Sequence, residues 1–206
     1  MRIIAGTAKG RRLAAPKSRR PKGHGPKGRE SEGPRSGEGD IRPTADRVRE
    51  AVFDILGEAI QGARFLDVFS GTGAVAAEAL SRGASSTVLL ERDRQALRII
   101  QRNLEEPGFE PDRWEVLPGD ALTSLAGLRR EGRTFDIIYL DPPYASTLGA
   151  EALEEAARLL DPDGVAVLEH DARSAPPESA PVELTETRRF GDTAITLYGL
   201  GGRPGP

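Results

Sequence analysis

The residues of this 206-residue chain best suited to chemistry are glycines and carboxylates set at the ends of apolar runs. The run RFL leads into Asp67-Val68-Phe69-Ser70-Gly71-Thr72-Gly73, where two glycines permit a tight turn and close approach of a ligand to the backbone at a helix N-terminus. Twenty residues beyond Gly71, Glu91 closes a second apolar run and is followed by Arg92. That is the spacing at which an acidic side chain accepts hydrogen bonds from ribose hydroxyls. A third carboxylate, Asp120, stands between Gly119 and Ala121 after the run WEVLP, placed either to meet an adenine amino group or to cap a helix. The set suits an adenosine-bearing cofactor, whether a nicotinamide dinucleotide or S-adenosylmethionine.

The loop Asp141-Pro142-Pro143-Tyr144 separates those two. Two prolines stiffen it and remove two backbone donors, leaving carbonyl oxygens and a carboxylate to face a cleft. Such a site takes an amino group, and Tyr144 offers a flat face on which a planar base could stack. A base amine is a poor nucleophile because its lone pair is delocalised into the ring. Hydrogen bonds from its N–H groups to Asp141 and a proline carbonyl would localise that pair and favour the charge that develops during attack. Hydride transfer has no evident use for the same loop.

Other chemistry is narrowed by absence. The sequence has no cysteine, which excludes disulfides, thiolate metal sites and a cysteine nucleophile. Its two histidines, His24 and His170, lie in unrelated contexts and suggest no metal site. No apolar run approaches the ~18 residues of a membrane span, so a cytoplasmic protein is the expectation, taken to be a monomer. The net charge of −3 conceals an asymmetry: residues 1–49 carry 14 Lys and Arg against 5 Asp and Glu, and residues 50–206 carry 15 against 27. A basic head on an acidic body attracts a polyanion locally, with nucleic acid the leading partner.

The elements that must position these residues follow from periodicity. Residues 2–14 read as a small hairpin about a Gly/Lys turn, with too little apolar surface to fold alone. Between 16 and 40 there are six Gly, four Pro and seven Lys or Arg in 25 residues with no aliphatic side chain, so this stretch reads as a disordered basic segment. Thr44 is a candidate N-cap, and Val48, Val52, Ile55, Leu56 and Ala59 repeat at helical spacing over about 45–60. Arg47, Arg49 and Glu50 fall off that stripe, on a solvated face or on a basic rim beside the site. Thereafter strands at 64–69, 86–91, 114–118, 135–140 and 164–169 alternate with helices near 74–82, 93–104, 121–130 and 148–160, which predicts a parallel sheet covered on both faces. Segments 182–189 and 193–199, joined by Phe190-Gly191-Asp192, predict a terminal antiparallel hairpin. The expectation is an α/β protein with a Rossmann-like, mostly parallel seven-stranded sheet. A hairpin arm (1–15) and the basic segment (16–41) would precede one domain (42–206).

Taken together, DVFSGTG, the acidic ends Glu91 and Asp120, and DPPY resemble a class I S-adenosylmethionine-dependent methyltransferase acting on an exocyclic amino nitrogen. The head segments RIIAGTAKGRRL and RPTADRVREAVFDIL, with DVFSGTGAVAAEALSRGA, closely resemble the RsmD family, bacterial enzymes that methylate guanine N2 in small-subunit (16S) ribosomal RNA. The resemblance covers nearly all of residues 1–200 outside 17–40, a stretch longer than the family's short connection. It implies that Gly71 and Gly73 lie against the methionine part of S-adenosylmethionine, with Asp67, Phe69, Arg92 and Ala121 also among the cofactor-binding residues. Glu91 would hold its ribose, Asp120 its adenine, and Asp141 to Tyr144 the guanine. Lys9, Arg11, Arg12, Arg42, Thr44 and Arg47 become the candidate contacts to ribosomal RNA, free or within an assembling small subunit. The alternatives are an N6-adenine or N5-glutamine methyltransferase, against whose protein substrate the basic head argues, and a non-catalytic RNA-binding protein.

Overall fold

The computed structural model describes residues 1–16, 43–143, 148–178 and 181–201. The stretch 17–40, expected to be disordered, lies outside them, as do Arg42 and Tyr144. Helix α1 (Pro43–Leu56) continues as a 3-10 turn over Gly57–Ile60. Then come β1 (Arg64–Asp67), α2 (Ala74–Ser81), β2 (Ser86–Glu91), α3 (Arg94–Glu105), β3 (Trp114–Pro118) and α4 (Ala121–Arg130). β4 (Phe135–Leu140), α5 (Leu148–Ala157), β5 (Leu160–Asp171), β6 (Val182–Phe190) and β7 (Thr193–Leu200) complete the chain. The expected helix to 160 stops at Ala157, because Pro162 removes a backbone donor and holds Asp161 extended, so β5 starts early.

The seven strands form one sheet in the order β3-β2-β1-β4-β5-β7-β6. The first five pair parallel, and β7 pairs antiparallel with both β5 and β6. Side chains of a strand alternate between faces. Leu66, Ile138, Leu140, Ala166 and Leu168 therefore pack with α4 and α5, while Phe65, Ile137, Tyr139, Val165 and Val167 pack with α1. By the same alternation Asp67, Tyr139, Asp141 and Glu169 belong to the α1 face. Between β1 and β4 the chain reverses its direction of progress across the sheet, and ligands of open α/β sheets bind outside the carboxyl ends at such a switch.

The head forms a hairpin closed by an Arg2–Arg12 bridge, with Ile3 N donating to Arg11 O at 3.0 Å and Leu13 N to Met1 O at 3.0 Å. It leans on the body, as its small apolar surface requires: Ile3, Ala8 and Leu13 are buried against Ala76, Ala77, Leu80 and Ile100. Glu78 of α2, fully buried, accepts Ile4 N at 2.7 Å and Ala5 N at 3.0 Å. Ser81 accepts Ala8 N at 2.9 Å through its hydroxyl. Gly6 is obligatory there: its φ is +79°, and a β-carbon would lie 1.8 Å from the Ser81 carbonyl oxygen.

Candidate functional site: a cleft at the sheet switch

A cleft of about 340 Å³ opens at the carboxyl ends of β1, β2, β3 and β4. One wall is the turn after β1, contributing Phe69 and Gly71, with Glu91 and Arg92 from the end of β2 and Asp120 and Ala121 from the end of β3. The opposite wall is Asp141, Pro142, Pro143 and Leu148. Glu91, Asp120 and Asp141, expected at one place, are thus brought together, while Asp67, expected with them, does not line this cleft.

The Glu91 carboxylate holds this wall in shape. Its Oε2 accepts Gly71 N at 2.8 Å and its Oε1 accepts Arg92 N and Asp93 N, each at 2.8 Å. Gly71 has φ +52° and open space where a β-carbon would stand. Gly73 differs from its expected role. It lines no part of the cleft; at φ +72° it starts α2, and a β-carbon there would press on Leu89 and Ile100 at 3.3 Å. Asp120 caps α4 by accepting Thr123 N at 3.2 Å while also facing the cleft.

Behind the Phe69–Gly71 turn lies a second pocket, of about 190 Å³, on the α1 face. It gathers Asp67, Asp141 and Glu169 with Tyr139, Arg49 and Met1. Asp67 is 1% exposed, and neither carboxylate oxygen has a hydrogen-bond partner among the described residues. The nearby Ser70 hydroxyl donates instead to the Asp67 carbonyl, at 2.8 Å. Burial first, then the neighbouring Asp141 and Glu91, pushes the Asp67 carboxyl up to about 8. Tyr139 donates its hydroxyl to Glu169 at 2.6 Å, and burial raises the tyrosine well above its ordinary value. Asp141 and Glu169 are both raised, chiefly by burial, with Glu169 acting second on Asp141. Asp141 keeps an exposed face on the cleft, where water moderates its shift. Few charges offset this cluster. Arg49, expected off the apolar stripe on a solvated face or a basic rim, is only 5% exposed. It donates to Arg2 O at 2.9 Å and Asp46 at 3.0 Å, with Glu78 4.0 Å away, so it joins arm, helix and pocket.

Of the candidate RNA contacts, Lys9, Arg11 and Arg12 are exposed on the arm, and Arg47 is exposed on α1, sharing a groove with Arg2 and Lys9. Thr44 lies in the first turn of α1. Arg42 and the stacking candidate Tyr144 fall outside the described residues. His170 bonds Thr196 Oγ1 at 2.9 Å through Nε2, and no cluster of metal-binding side chains occurs among the described residues. Nor is any helix among them long and apolar enough to cross a membrane. Sequence reasoning missed Glu169, although it lies near the carboxyl end of β5. It also missed Glu78, Asn103 and Tyr139, which sit inside apolar helix and strand patterns and carry no signal of their own.

A glycine turn, acidic strand ends and a proline loop around one cleft, on a sheet of this order, define the class I methyltransferase fold. Within that class, residues 1–199 match the family described as "Conserved hypothetical protein 95". The chain belongs to this family, the RsmD family that the sequence resembles. It is 30% identical to YlbH of Bacillus subtilis (strain 168), named provisionally as an rRNA methyltransferase, over 96% of this chain and 98% of that one. It is 34% identical to "Ribosomal RNA small subunit methyltransferase D" of Escherichia coli (strain K12), over 80% of this chain and 68% of that one. Among solved structures, Escherichia coli yhhF, named provisionally as a methyltransferase, superposes with a TM-score of 0.77 at 29% identity, covering 98% and 99% of the two chains.

Proposed function

We propose that this protein methylates the exocyclic N2 amino group of a guanine in 16S ribosomal RNA, using S-adenosylmethionine. The observation that carries the reading is the single cleft in which a wall of adenosine-type acceptors faces a loop built to accept hydrogen bonds from an amine. The residues present suit that cofactor. Gly71 leaves room for close approach, Glu91 and Asp120 offer carboxylates to the ribose and adenine, and Asp67 offers two buried unpartnered oxygens to an ammonium group. Phe69, Arg92 and Ala121 complete the surface on which it would lie. When bound, the cofactor supplies a methyl group on a positively charged sulfur.

The chain's own part is positioning and proton handling. Asp141 and a proline carbonyl of the loop accept the two guanine N2–H groups, drawing the lone pair out of the ring. N2 would take the methyl group with the sulfur as leaving group, and Asp141 would receive one N2 proton and pass it to solvent. Tyr144 supplies a stacking face. A base inside a paired helix hides this amino group, so the guanine is unpaired or turned out of the stack. Lys9, Arg11 and Arg12 of the arm and Thr44 and Arg47 of α1 hold the RNA, together with Arg42. The protein acts as a cytoplasmic monomer, with the assembling small subunit as its substrate.

The test is incubation of the purified protein with methyl-labelled S-adenosylmethionine and either 16S ribosomal RNA or small subunits lacking the modification, followed by nucleoside mass spectrometry. The expected product is N2-methylguanosine, lost in Asp141→Ala. Label on adenosine N6 or on a glutamine side chain would replace this reading with one of its enzymatic rivals. RNA binding without cofactor binding would identify a non-catalytic RNA-binding protein.

A further inference from the structure

The arm and the glycine turn, proposed above to hold RNA and cofactor respectively, meet at one buried side chain. Asn103, in the last turns of α3, is 1% exposed. Its Oδ1 accepts Ala14 N at 2.6 Å, and its Nδ2 donates to Ala14 O at 3.1 Å and to Thr72 O at 2.8 Å. Every hydrogen of the amide is used. The reversed amide would set its oxygen against two carbonyls and its NH2 against an N–H, so the network fixes the orientation.

Thr72 stands between Gly71 and Gly73, both at positive φ, and so has no stiff neighbour to set its peptide orientation. Glu91 holds one side of this turn through Gly71 N, and the Gly73 N–H bonds back to Ser70 O at 2.7 Å. The Thr72 carbonyl is held by Asn103. The other polar links from the body to the arm among the described residues run from Glu78 and Ser81 of α2 and from Arg49 of α1, and none of these hydrogen bonds involves the turn. Thr72 and Met1 also line the same small pocket beside Asp67, so a displaced arm and a displaced turn change one surface.

We propose that Asn103 is a positioning residue that fastens the arm to the cofactor turn, so that RNA on the arm and cofactor on the turn strengthen each other's binding. The inference rests on the proposed methyltransferase function. Either ligand orders its own segment, and the shared amide makes that ordering common to both, so the second ligand meets a turn and an arm already in place. Coupling of this kind is reciprocal and spans about 5- to 150-fold in affinity.

The experiment measures affinity for 16S ribosomal RNA with and without saturating S-adenosylhomocysteine, which cannot transfer a methyl group. The parent is expected to bind RNA at least about fivefold tighter with the cofactor product present. Asn103→Asp keeps an acceptor for Ala14 N but loses both donors, and should bring that ratio to within about twofold of one. A second variant, Ala14→Pro, removes the N–H on the arm side and leaves α3 intact; it should lower the ratio as well, and it carries the test if Asn103→Asp does not fold. A merely structural amide would lower the melting temperature and leave the ratio alone. An uncoupled parent, or a folded variant that keeps the parent's ratio, would overturn the proposal. A parent that binds neither RNA nor S-adenosylhomocysteine would overturn the methyltransferase reading itself, and this inference with it.

Discussion

The Glu91 Oε2 accepts the Gly71 N–H at 2.8 Å, tying the end of β2 to the turn that follows β1. The residue proposed to hold the ribose therefore also shapes the loop against which the cofactor lies. Glu91→Ala should weaken S-adenosylmethionine binding by about 1 to 3 kcal/mol, the range for losing a hydrogen bond to a charged group. Glu91→Gln, which keeps one acceptor oxygen, should lose less. Calorimetric titration checks both, and an alanine variant within twofold of the parent would remove Glu91 from the cofactor site.

Gly71 and Gly73 should part company. Gly73→Ala places a β-carbon 3.3 Å from Leu89 and Ile100 at φ +72°, so its cost falls on stability: about 1 to 2 kcal/mol for the left-handed conformation, plus crowding. For a protein of this size that lowers the melting temperature by roughly 3 to 8 °C. Gly71→Val also carries a left-handed cost, at φ +52°, but it meets no neighbouring atom, points its side chain into open cleft and should abolish cofactor binding while the folded state persists. Paired melting and calorimetry resolve the two, and a Gly71→Val protein with parental affinity would move the cofactor elsewhere.

Much of this is legible in the sequence, for identifiable reasons. Runs such as FDIIYL are apolar on both faces, which only a doubly covered sheet accommodates, and the β4 boundaries follow the run itself. DVFSGTG and DPPY announce themselves because turns at positive φ and double prolines leave few residue choices. Arg49 escapes such reasoning because helical periodicity describes one stripe facing the sheet. It cannot show that the arm folds over the adjacent flank and buries the arginine against Arg2 and Asp46. Glu78 and Asn103 are invisible for a related reason: each satisfies backbone groups 74 and 89 positions away, and no local pattern encodes such pairings.

Asp67 should give cofactor binding a proton signature. Its carboxyl, raised to about 8, is largely protonated at pH 7 in the free protein. An ammonium group set against it favours the ionised form, so binding at pH 7 should release a proton, approaching one per cofactor. Calorimetry in buffers of different ionisation enthalpy reads this directly, and Asp67→Asn should abolish the buffer dependence. The same shift governs stability. A folded-state value above the unfolded one stabilises most at low pH, and that contribution is lost as pH rises through about 8. Asp67→Asn should therefore flatten the stability profile between about 4 and 8. A buffer-independent binding enthalpy in the parent would contradict the placement of the ammonium.

Asp141 and Glu169 should set the acid limb of the rate profile. In the proposed reaction Asp141 accepts hydrogen bonds from the amine in its ionised form, and its carboxyl is raised, by burial first and Glu169 second. Turnover should accordingly fall as the pH drops below neutral, and Asp141→Ala should lower it by roughly 10² or more with cofactor affinity nearly unchanged. Glu169→Gln removes a neighbouring negative charge, which lowers the Asp141 value and moves the limb to more acid pH. Single-turnover rates across pH 5 to 9 test this, and a Glu169→Gln limb shifted to higher pH would contradict the coupling.

RNA capture is assigned to the exposed cations of the arm, and deleting the arm is not a clean way to test it. Removal of residues 1–14 would strip Ile4 N and Ala5 N from Glu78 and leave a carboxylate buried with fewer partners, besides exposing the apolar patch under Ile3 and Leu13. The resulting destabilisation would mimic a binding defect. Arg11 and Arg12 offer a better route: both side chains are exposed, and the backbone bonds that close the hairpin do not depend on them. The double variant Arg11→Ala with Arg12→Ala should keep its melting temperature and its affinity for S-adenosylmethionine. Its affinity for 16S ribosomal RNA should fall, and the slope of log affinity against log salt should flatten by about 0.7 to 0.9 for each phosphate that is no longer neutralised. Excising 17–40 removes seven Lys and Arg and should also flatten the slope, while the choice of guanine stays the same. If that excision redirects methylation to other guanines, the segment itself reads the RNA. If the double variant leaves the salt slope unchanged, the phosphates are held by other cations.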